Sequence, residues 1–317
     1  RGYKGSIIVA DTNEFWQPLL EIDGNGNFHR QDHVVPHIGY TGKTKLVSKF
    51  KKAPVPRYNY EFEAELVVKR LQQLVGNDEH IEVLRFFDNK LAVRAFIQLN
   101  MLHHFSSDLK FEDHCMFIAG IDAAEYDSIL QVWREKVRFD RVRPTTVIQQ
   151  WGDKVINTYN GNPSSTQPAD IHARDFQSFI RVMPHSEYPS GSASLCTAYA
   201  EFTDLYVKEF HGTDNFQLLP MGPNAFNYGC DSGSNLQFGC GAPFHVQNMT
   251  KLAEMCGESR LWGGMHFTHA IEAGHEIASG LGELAVEFVK TIKAGSNWTS
   301  STNLMGSDRP SCEGSKY

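Results

Sequence analysis

Apolar positions recur at helical spacing along most of the chain after about residue 60. Val67, Leu71 and Leu74 form one apolar stripe, and Gly76 follows them as a typical helix C-cap. The same spacing predicts further helices from Asp78, from near Asp122, and over 170–182, 192–210, 246–261 and 266–292. Strand-like alternation is rare. The pattern therefore predicts an all-α fold, a helical bundle with long connecting loops.

Regions without this pattern flank and interrupt the predicted bundle. Prolines and the Asp23–Gly26 turn punctuate residues 1–58, which we predict to be an irregular N-terminal segment. Residues 59–293 form the predicted helical-bundle domain, and 294–317 a polar C-terminal tail. Within the bundle, 212–244 is rich in Gly, Asn and Pro. Loops of this length in compact domains are usually functional or disordered. Because it lies between two helices with candidate site residues, we expect it to form an active-site wall.

Composition narrows the classes of function. The chain has 317 residues, 30 Lys plus Arg against 37 Asp plus Glu, and a net charge of −7, which disfavours nucleic-acid and anionic-membrane partners. No apolar run approaches the ~20 residues of a membrane helix, so we predict no membrane span. The 14 histidines make metal chemistry worth examining. The cysteines form no CxxC motif, and whether Cys230 pairs with Cys240 in their Gly-rich loop stays open.

The first candidate for chemistry is a pair of cations. Lys136 and Arg143 are spaced by nearly two helical turns, so on one helix both would point inward. Pro144 then ends the helix and holds Arg143 extended. Two inward cations require an anion, because an unpaired buried charge is costly. The alternative for Lys136 is a side chain that reaches solvent from a helix end.

The second candidate is a helix start. Ser190-Gly191-Ser192 follows His185 and Glu187 and opens the helix predicted over 192–210. Such a start presents unpaired backbone N–H groups and hydroxyls at the positive end of the helix dipole. On its own, the same pattern also fits an ordinary serine N-cap.

The third candidate combines Arg260 with His266. Gly263 and Gly264 lie between them and permit a break, so the two side chains can converge from separate helix ends. With the first two candidates they suit a tetrahedral oxyanion, which cations and backbone N–H groups surround while a histidine contacts the central atom. A zinc site would need three or four protein ligands, and only His269 is spaced to join His266, so zinc is disfavoured.

The spacing of these residues resembles a known three-part signature. It consists here of Lys136 and Arg143-Pro144, then Pro189-Ser190-Gly191, then Ser259-Arg260, Gly264 and His266. This looks like the signature of the vanadium-dependent haloperoxidases, which they share with type 2 phosphatidic acid phosphatases and bacterial acid phosphatases. The absence of a membrane span favours the haloperoxidase branch. The lead-in Glu187-Tyr188-Pro189 is also similar to haloperoxidase sequences.

The resemblance implies a site and a reaction. The bound oxyanion would be vanadate, with His266 as its one protein ligand. Its equatorial oxygens would be held by Lys136, Arg143, Ser190, Gly191 and Arg260. Hydrogen peroxide would oxidise halide to a hypohalous-acid equivalent, which halogenates a small organic acceptor, and the metal would act as a Lewis acid. Haloperoxidases of this type usually pair two bundles, so the chain, which begins at Arg1, is expected to be the C-terminal part of a longer protein.

Ser192 is a departure from the family pattern, which commonly has histidine there as acid and base. A serine has no pKa near neutrality, so a proton would have to move through water or a neighbour. His185 and Glu187 are the candidates. Ser192 also weakens the acid phosphatase alternative, in which His266 would be the nucleophile. It leaves open a third alternative, a degenerate relative that only binds oxyanions.

Ala270 is a second departure, because many relatives place there an acidic residue that orients the ligand histidine. Glu272 and Asp204 are the candidates to replace it. Glycosylation sequons at Asn248 and Asn297 point weakly to secretion. The choice between chloride and bromide, the organic acceptor and the formation of a homo-oligomer stay open.

Overall fold

The structure, a computed structural model, describes residues 14–22, 27–41, 43–57, 59–107, 109–214, 216–221 and 243–298. Ten α-helices lie within these ranges: α1 Ile38–Thr41, α2 Tyr60–Leu74, α3 Asp78–Asp88, α4 Lys90–Phe105, α5 Phe111–Phe139, α6 Pro144–Gln149, α7 Gly191–His211, α8 Met249–Trp262, α9 Thr268–Ala278 and α10 Leu281–Lys293. Two antiparallel hairpins accompany them, β1 Leu20–Ile22 with β2 Phe28–Arg30, and β3 Val155–Thr158 with β4 Ala169–His172. The predicted all-α helical bundle is confirmed.

Helices α5, α7 and α10 form the centre of the bundle. Their shared core contains Phe117 of α5, Phe202 and Tyr206 of α7, and Val289 of α10, all fully buried. Burial of each aromatic side chain contributes ~1.5–3 kcal/mol. Gly120 lets α5 approach α7, because a Cβ at that position would lie 2.3 Å from the Phe202 ring. This packing fixes α7, whose N-terminus opens at the site described below.

A segment before the bundle is held on α5 by buried acceptors. The carboxylate of Asp127 accepts the three backbone N–H groups of residues 45–47 at 2.7–3.0 Å. Gln131 and Glu135 follow at four-residue intervals and accept further N–H groups of the segment at 3.3 and 2.8 Å. Spacing of four residues aligns the three side chains on one face of α5, so they bind the segment 43–57 along the helix.

The predicted helix boundaries are wrong at three places. The helix predicted from Asp78 is two helices, because Asn89 ends α3 and caps α4 with a side-chain bond to the backbone N–H of Ala92 at 3.2 Å. The helix predicted from near Asp122 begins much earlier, since α5 starts at Phe111. The helix predicted over 266–292 is α9 and α10, which are separated at Gly280 with φ +90°.

The predicted helix over 170–182 is also wrong. Residues there form β4, a short 3₁₀ turn at Ala173–Asp175, and irregular chain. Ile171 lies between exposed Asp170 and His172, an alternation of period two that fits a strand. Both strands of this hairpin have only four residues, so the alternation of buried and exposed positions is too short to stand out in the sequence.

The cysteines give a pairing that the sequence did not indicate. A disulfide joins Cys196 of α7 to Cys256 of α8, and Cys115 is free. Cys230 and Cys240 lie outside the described residues, as do the Asp23–Gly26 turn, residues 222–242 of the predicted loop and residues 299–317 of the predicted tail. The role of the 212–244 loop as an active-site wall therefore stays a prediction.

No helix in the described part of the chain is long and apolar enough to cross a membrane.

Candidate oxyanion-binding site

Lys136 and Arg143 come from different elements. Helix α5 ends at Phe139, and Asp140 follows in the left-handed conformation with φ 47°. Arg143 is extended, with φ −83° and ψ 151°, and Pro144 is the first residue of α6. The prediction that both cations share one helix is therefore wrong, because α5 ends at Phe139, three residues after Lys136.

The two cations nevertheless converge on the segment 185–187. Lys136 donates from Nζ to the carbonyl oxygens of Ser186 and Glu187 at 2.8 and 3.2 Å. Arg143 donates from Nε to the carbonyl oxygen of His185 at 3.0 Å. Their side chains are 0% and 1% exposed, so Lys136 does not reach solvent from the helix end, and that alternative is wrong.

The start of α7 follows this segment. Ser190 is the N-cap, and its Oγ accepts the backbone N–H of Ala193 at 3.3 Å. Its own backbone N–H donates to the carbonyl oxygen of Ala270 at 2.9 Å, which ties the start of α7 to α9. Gly191 and Ser192 line a cavity at this helix end. The positive end of the α7 dipole is thus directed at that cavity.

His266 lies on the short connection between α8 and α9. Gly264 has φ +76°, a left-handed conformation that glycine adopts without strain, and it turns the chain after α8. Arg260 and His266 therefore approach the cavity from separate positions, which the paired glycines in the sequence permit. Nη1 of Arg143 lies 3.2 Å from Nε2 of His266 and 2.9 Å from the carbonyl oxygen of Met265.

A hydrogen bond to Glu187 sets the tautomer of His266. Because Arg143 can only donate, Nε2 of His266 accepts, and the ring hydrogen lies on Nδ1. Nδ1 then donates to Oε1 of Glu187 at 3.1 Å. The same oxygen accepts the backbone N–H of Phe267 at 2.9 Å, and Glu187 is 0% exposed. The arrangement leaves the Nε2 lone pair of His266 directed towards the cations.

Glu187 is thus the carboxylate bonded to His266, rather than Glu272 or Asp204. Glu272 lies 3.9 Å from His269 on the exposed side of α9. Burial alone raises the pKa of Asp204, to about 6, and no charged partner contributes. The sequence signal for Glu187 was its position three residues before Ser190, but nothing local shows that it meets His266.

Burial and mutual repulsion depress the pKa values of the basic groups here. Burial lowers the pKa of His266 well below its usual range, and the Arg143 and Lys136 cations lower it further. Burial, with the same two cations, also lowers the pKa of His185. For Lys136, burial and Arg143 lower the pKa, while Glu187 raises it. A bound anion would relieve this excess of positive charge.

Arg260 has a carboxylate partner that the sequence did not indicate. Its Nη1 donates to Oδ1 of Asp88 at 2.9 Å, and its Nε donates to Oγ of Ser259 at 3.0 Å. Burial lowers the pKa of Arg260, and Asp88 raises it. Asp88 ends α3, so its approach to α8 depends on helix packing and had no motif to reveal it.

A cavity of about 340 Å³ joins these groups. Its walls are Val34, Asp88, Lys90, Glu125, Ile129, Val132, Trp133, Arg143, Met183, His185, Gly191, Ser192, Leu195, Arg260, Met265 and His266. Five of the seven predicted site residues belong to this lining, whereas Lys136 and Ser190 are buried beside it. Across the described ranges, no group of three His, Cys, Asp or Glu side chains is arranged to hold a metal ion.

Known proteins share this fold. A family model described as the VCPO second helical-bundle domain matches residues 116–295. The structure of a holo-type bacterial vanadium-dependent chloroperoxidase superposes with a TM-score of 0.75 at 23% identity, covering 89% of this chain and 62% of that one. A bacterial vanadium-dependent iodoperoxidase gives 0.62 at 19% identity, again covering 89% and 62%. The chain thus spans less than two thirds of these relatives, and no curated protein matches it.

Proposed function

The chain belongs to the family of the VCPO second helical-bundle domain, and from this premise we propose that it is a vanadate-dependent haloperoxidase. In this proposal it oxidises chloride or bromide with hydrogen peroxide to a hypohalous-acid equivalent, which halogenates an organic acceptor. The family match establishes the family of the chain and its fold. The activity, the oxyanion and the acceptor are the proposal.

One observation carries it: Nε2 of His266 is unprotonated and faces an excess of buried cations. Arg143 and Arg260 line the cavity with His266, and Lys136 is buried beside Gly191, which also lines it. The carboxylates bonded to these groups are Glu187 and Asp88, and Asp88 is partly exposed. Such a site suits an oxyanion with a central atom that an imidazole nitrogen can ligate, and vanadate meets both conditions.

The residues present therefore fit vanadate. His266 would ligate it through Nε2, Arg143 and Arg260 would hold its oxygens, and the Gly191 end of α7 would add backbone N–H groups. Lys136 would contribute a buried positive charge while its ammonium group is bonded to carbonyl oxygens of the segment 185–187. When bound, vanadate supplies a Lewis acid that activates hydrogen peroxide without changing oxidation state.

Glu187 and His185 take different roles in this proposal. Glu187 is bonded to His266 and to the backbone of Phe267, so we assign it to holding the ligand histidine. His185 lines the cavity, and its Nδ1 lies 3.0 Å from Nη2 of Arg143 and 3.1 Å from the carbonyl oxygen of Ser186. We assign His185 to proton transfer, which Ser192 cannot perform near neutral pH.

The test is halogenation of monochlorodimedone with hydrogen peroxide and bromide or chloride, before and after addition of orthovanadate. We expect halogenation only with vanadate. Turnover of p-nitrophenyl phosphate without vanadate-dependent halogenation would overturn the proposal in favour of an acid phosphatase. Loss of both activities would leave a relative that only binds oxyanions.

A further inference from the structure

The cavity has an apolar wall that the oxyanion-binding residues do not explain. Ile129 and Trp133 of α5, Leu195 of α7 and Met183 form this wall, which faces the same space of about 340 Å³. Vanadate, peroxide and halide are polar and gain nothing from apolar neighbours. Cavities of a few hundred Å³ with apolar walls and few polar groups are typical of sites for small organic molecules.

Lys90 is the cation of this cavity that lies outside the three motifs. Its amine donates to the carbonyl oxygen of Phe87. No carboxylate oxygen of the described residues lies within 4.0 Å of that amine. The two acids that also line the cavity have other partners, since Asp88 pairs with Arg260 and Glu125 bonds to an arginine of α4 and a tyrosine of α7.

Three features oppose a positive charge at Lys90. Burial lowers its pKa well below the usual range, and the Arg260 guanidinium lowers it further, while Asp88 acts in the opposite direction. Lys90 is also the first residue of α4, where the helix dipole disfavours a cation. An anion bound in the cavity would offset all three features, because it would pair with the ammonium group and face the positive helix end.

We infer that Lys90 and the apolar wall form a binding site for an aromatic organic anion, with its charged group at Lys90 and its ring against Trp133. Resting on the proposed function, this ligand is the acceptor that is halogenated. Arg260 lies near Lys90 and also lines the cavity with His266, so an acceptor held at Lys90 would extend across the cavity towards the oxyanion-binding residues.

The binding test uses 2-naphthoate and its neutral analogue 2-naphthamide, titrated calorimetrically into protein without vanadate, peroxide or halide. We expect naphthoate to bind at least about tenfold more tightly, as one charge-assisted hydrogen bond allows. Lys90→Met should abolish this preference. Lys110→Met, at an exposed position before α5, should leave it unchanged.

Three outcomes would overturn the inference. The first is equal affinity of the wild-type protein for the two probes, which needs no variant to fold. The second is a preference that survives in a folded Lys90→Met protein. The third is displacement of naphthoate by bromide or by inorganic phosphate, because Lys90 would then belong to a halide site or the carboxylate would lie on the oxyanion-binding residues.

The acceptor role is tested separately with 6-hydroxy-2-naphthoate and 6-hydroxy-2-naphthamide as halogenation substrates. In Lys90→Met, KM should rise about tenfold for the acid and much less for the amide. Equal changes for both would overturn the acceptor role. If no substrate is halogenated in the presence of vanadate but the binding preference depends on Lys90, the proposed function fails and the organic-anion site stands.

Discussion

His266 and Glu187 lie 79 residues apart in the sequence and share a buried hydrogen bond of 3.1 Å between Nδ1 and Oε1. The bond fixes the ring hydrogen on Nδ1 and leaves Nε2 as an acceptor. Histidines that ligate metals usually donate their other N–H to a carboxylate or a carbonyl. In the proposed function, Glu187 would therefore take the place of the acidic residue expected at position 270, which is Ala270 here.

Replacing Glu187 should weaken vanadate binding without removing the ligand. Glu187→Gln keeps the size of the side chain but loses the charge, so we expect vanadate affinity to fall ~10–100-fold, the usual effect of losing a partner of a ligating histidine. Equilibrium dialysis against orthovanadate measures this. Glu201→Gln is the control, because Glu201 accepts the backbone N–H groups of Gly280 and Gly282 but is bonded to no histidine. Unchanged affinity in folded Glu187→Gln would refute the positioning role.

Replacing His266 should abolish vanadate retention. His266→Ala removes the proposed ligand nitrogen, so the affinity should fall by more than ~100-fold and halogenation should cease. His269→Ala is the control, since His269 lies one turn further along and bonds instead to the backbone of Arg57 at 3.2 Å. Tight vanadate binding by His266→Ala would show that the ligand assignment is wrong.

The disulfide between Cys196 and Cys256 should stabilise the fold. It closes a separation of 60 residues and joins α7 to α8, so its loss should lower the free energy of unfolding by about 2–4 kcal/mol. Urea unfolding of the double variant Cys196→Ala/Cys256→Ala measures the change. Cys115→Ser serves as the control, because Cys115 is exposed and free. Equal stability of the double variant and the wild type would contradict the expectation.

Asp204 should make stability depend on pH. Burial raises the pKa of Asp204 from its ordinary value of 3.8 to about 6. Between these values the unfolded state ionises first, so stability is lost as the pH rises towards 6. Asp204→Asn should therefore stabilise the protein at pH 7, by on the order of 1 kcal/mol once solvent screening is allowed for. Below pH 4 the difference should vanish.

Urea unfolding at several pH values measures the effect of Asp204→Asn. Asp214→Asn is the control at an exposed position, where Asp214 pairs with Lys208 on the surface. A stabilisation by Asp204→Asn that is the same at low and neutral pH would show that packing, and not ionisation, is its cause.

The helical pattern predicted most of the bundle because apolar stripes are local. The stripe through Val67, Leu71 and Leu74 corresponds to α2, with Gly76 just beyond its end at φ +81°. The predicted helix boundaries were wrong where a single polar residue sets the end of a helix. Asn89 ends one helix and caps the next, and a continuous apolar stripe does not reveal such a break.

The candidate site likewise has a part that local motifs predicted and a part that only helix packing reveals. The three motifs brought Arg143, Arg260 and His266 together because each motif sits at the end of a helix, where the chain must turn. Asp88 and Lys90 were missed, since the α3–α4 junction reaches the cavity only through packing of α3 against α8. The pairing of Cys196 with Cys256 was missed because it depends on the packing of α7 against α8.

By itself, the sequence determined the all-α fold and the set of cations around one histidine, because helical periodicity and motif spacing act over a few residues. The tertiary structure alone decided which carboxylate holds His266, which acid pairs with Arg260 and which further cation enters the cavity. Those contacts join side chains separated by 79 and 172 residues, and their geometry follows from how whole helices pack.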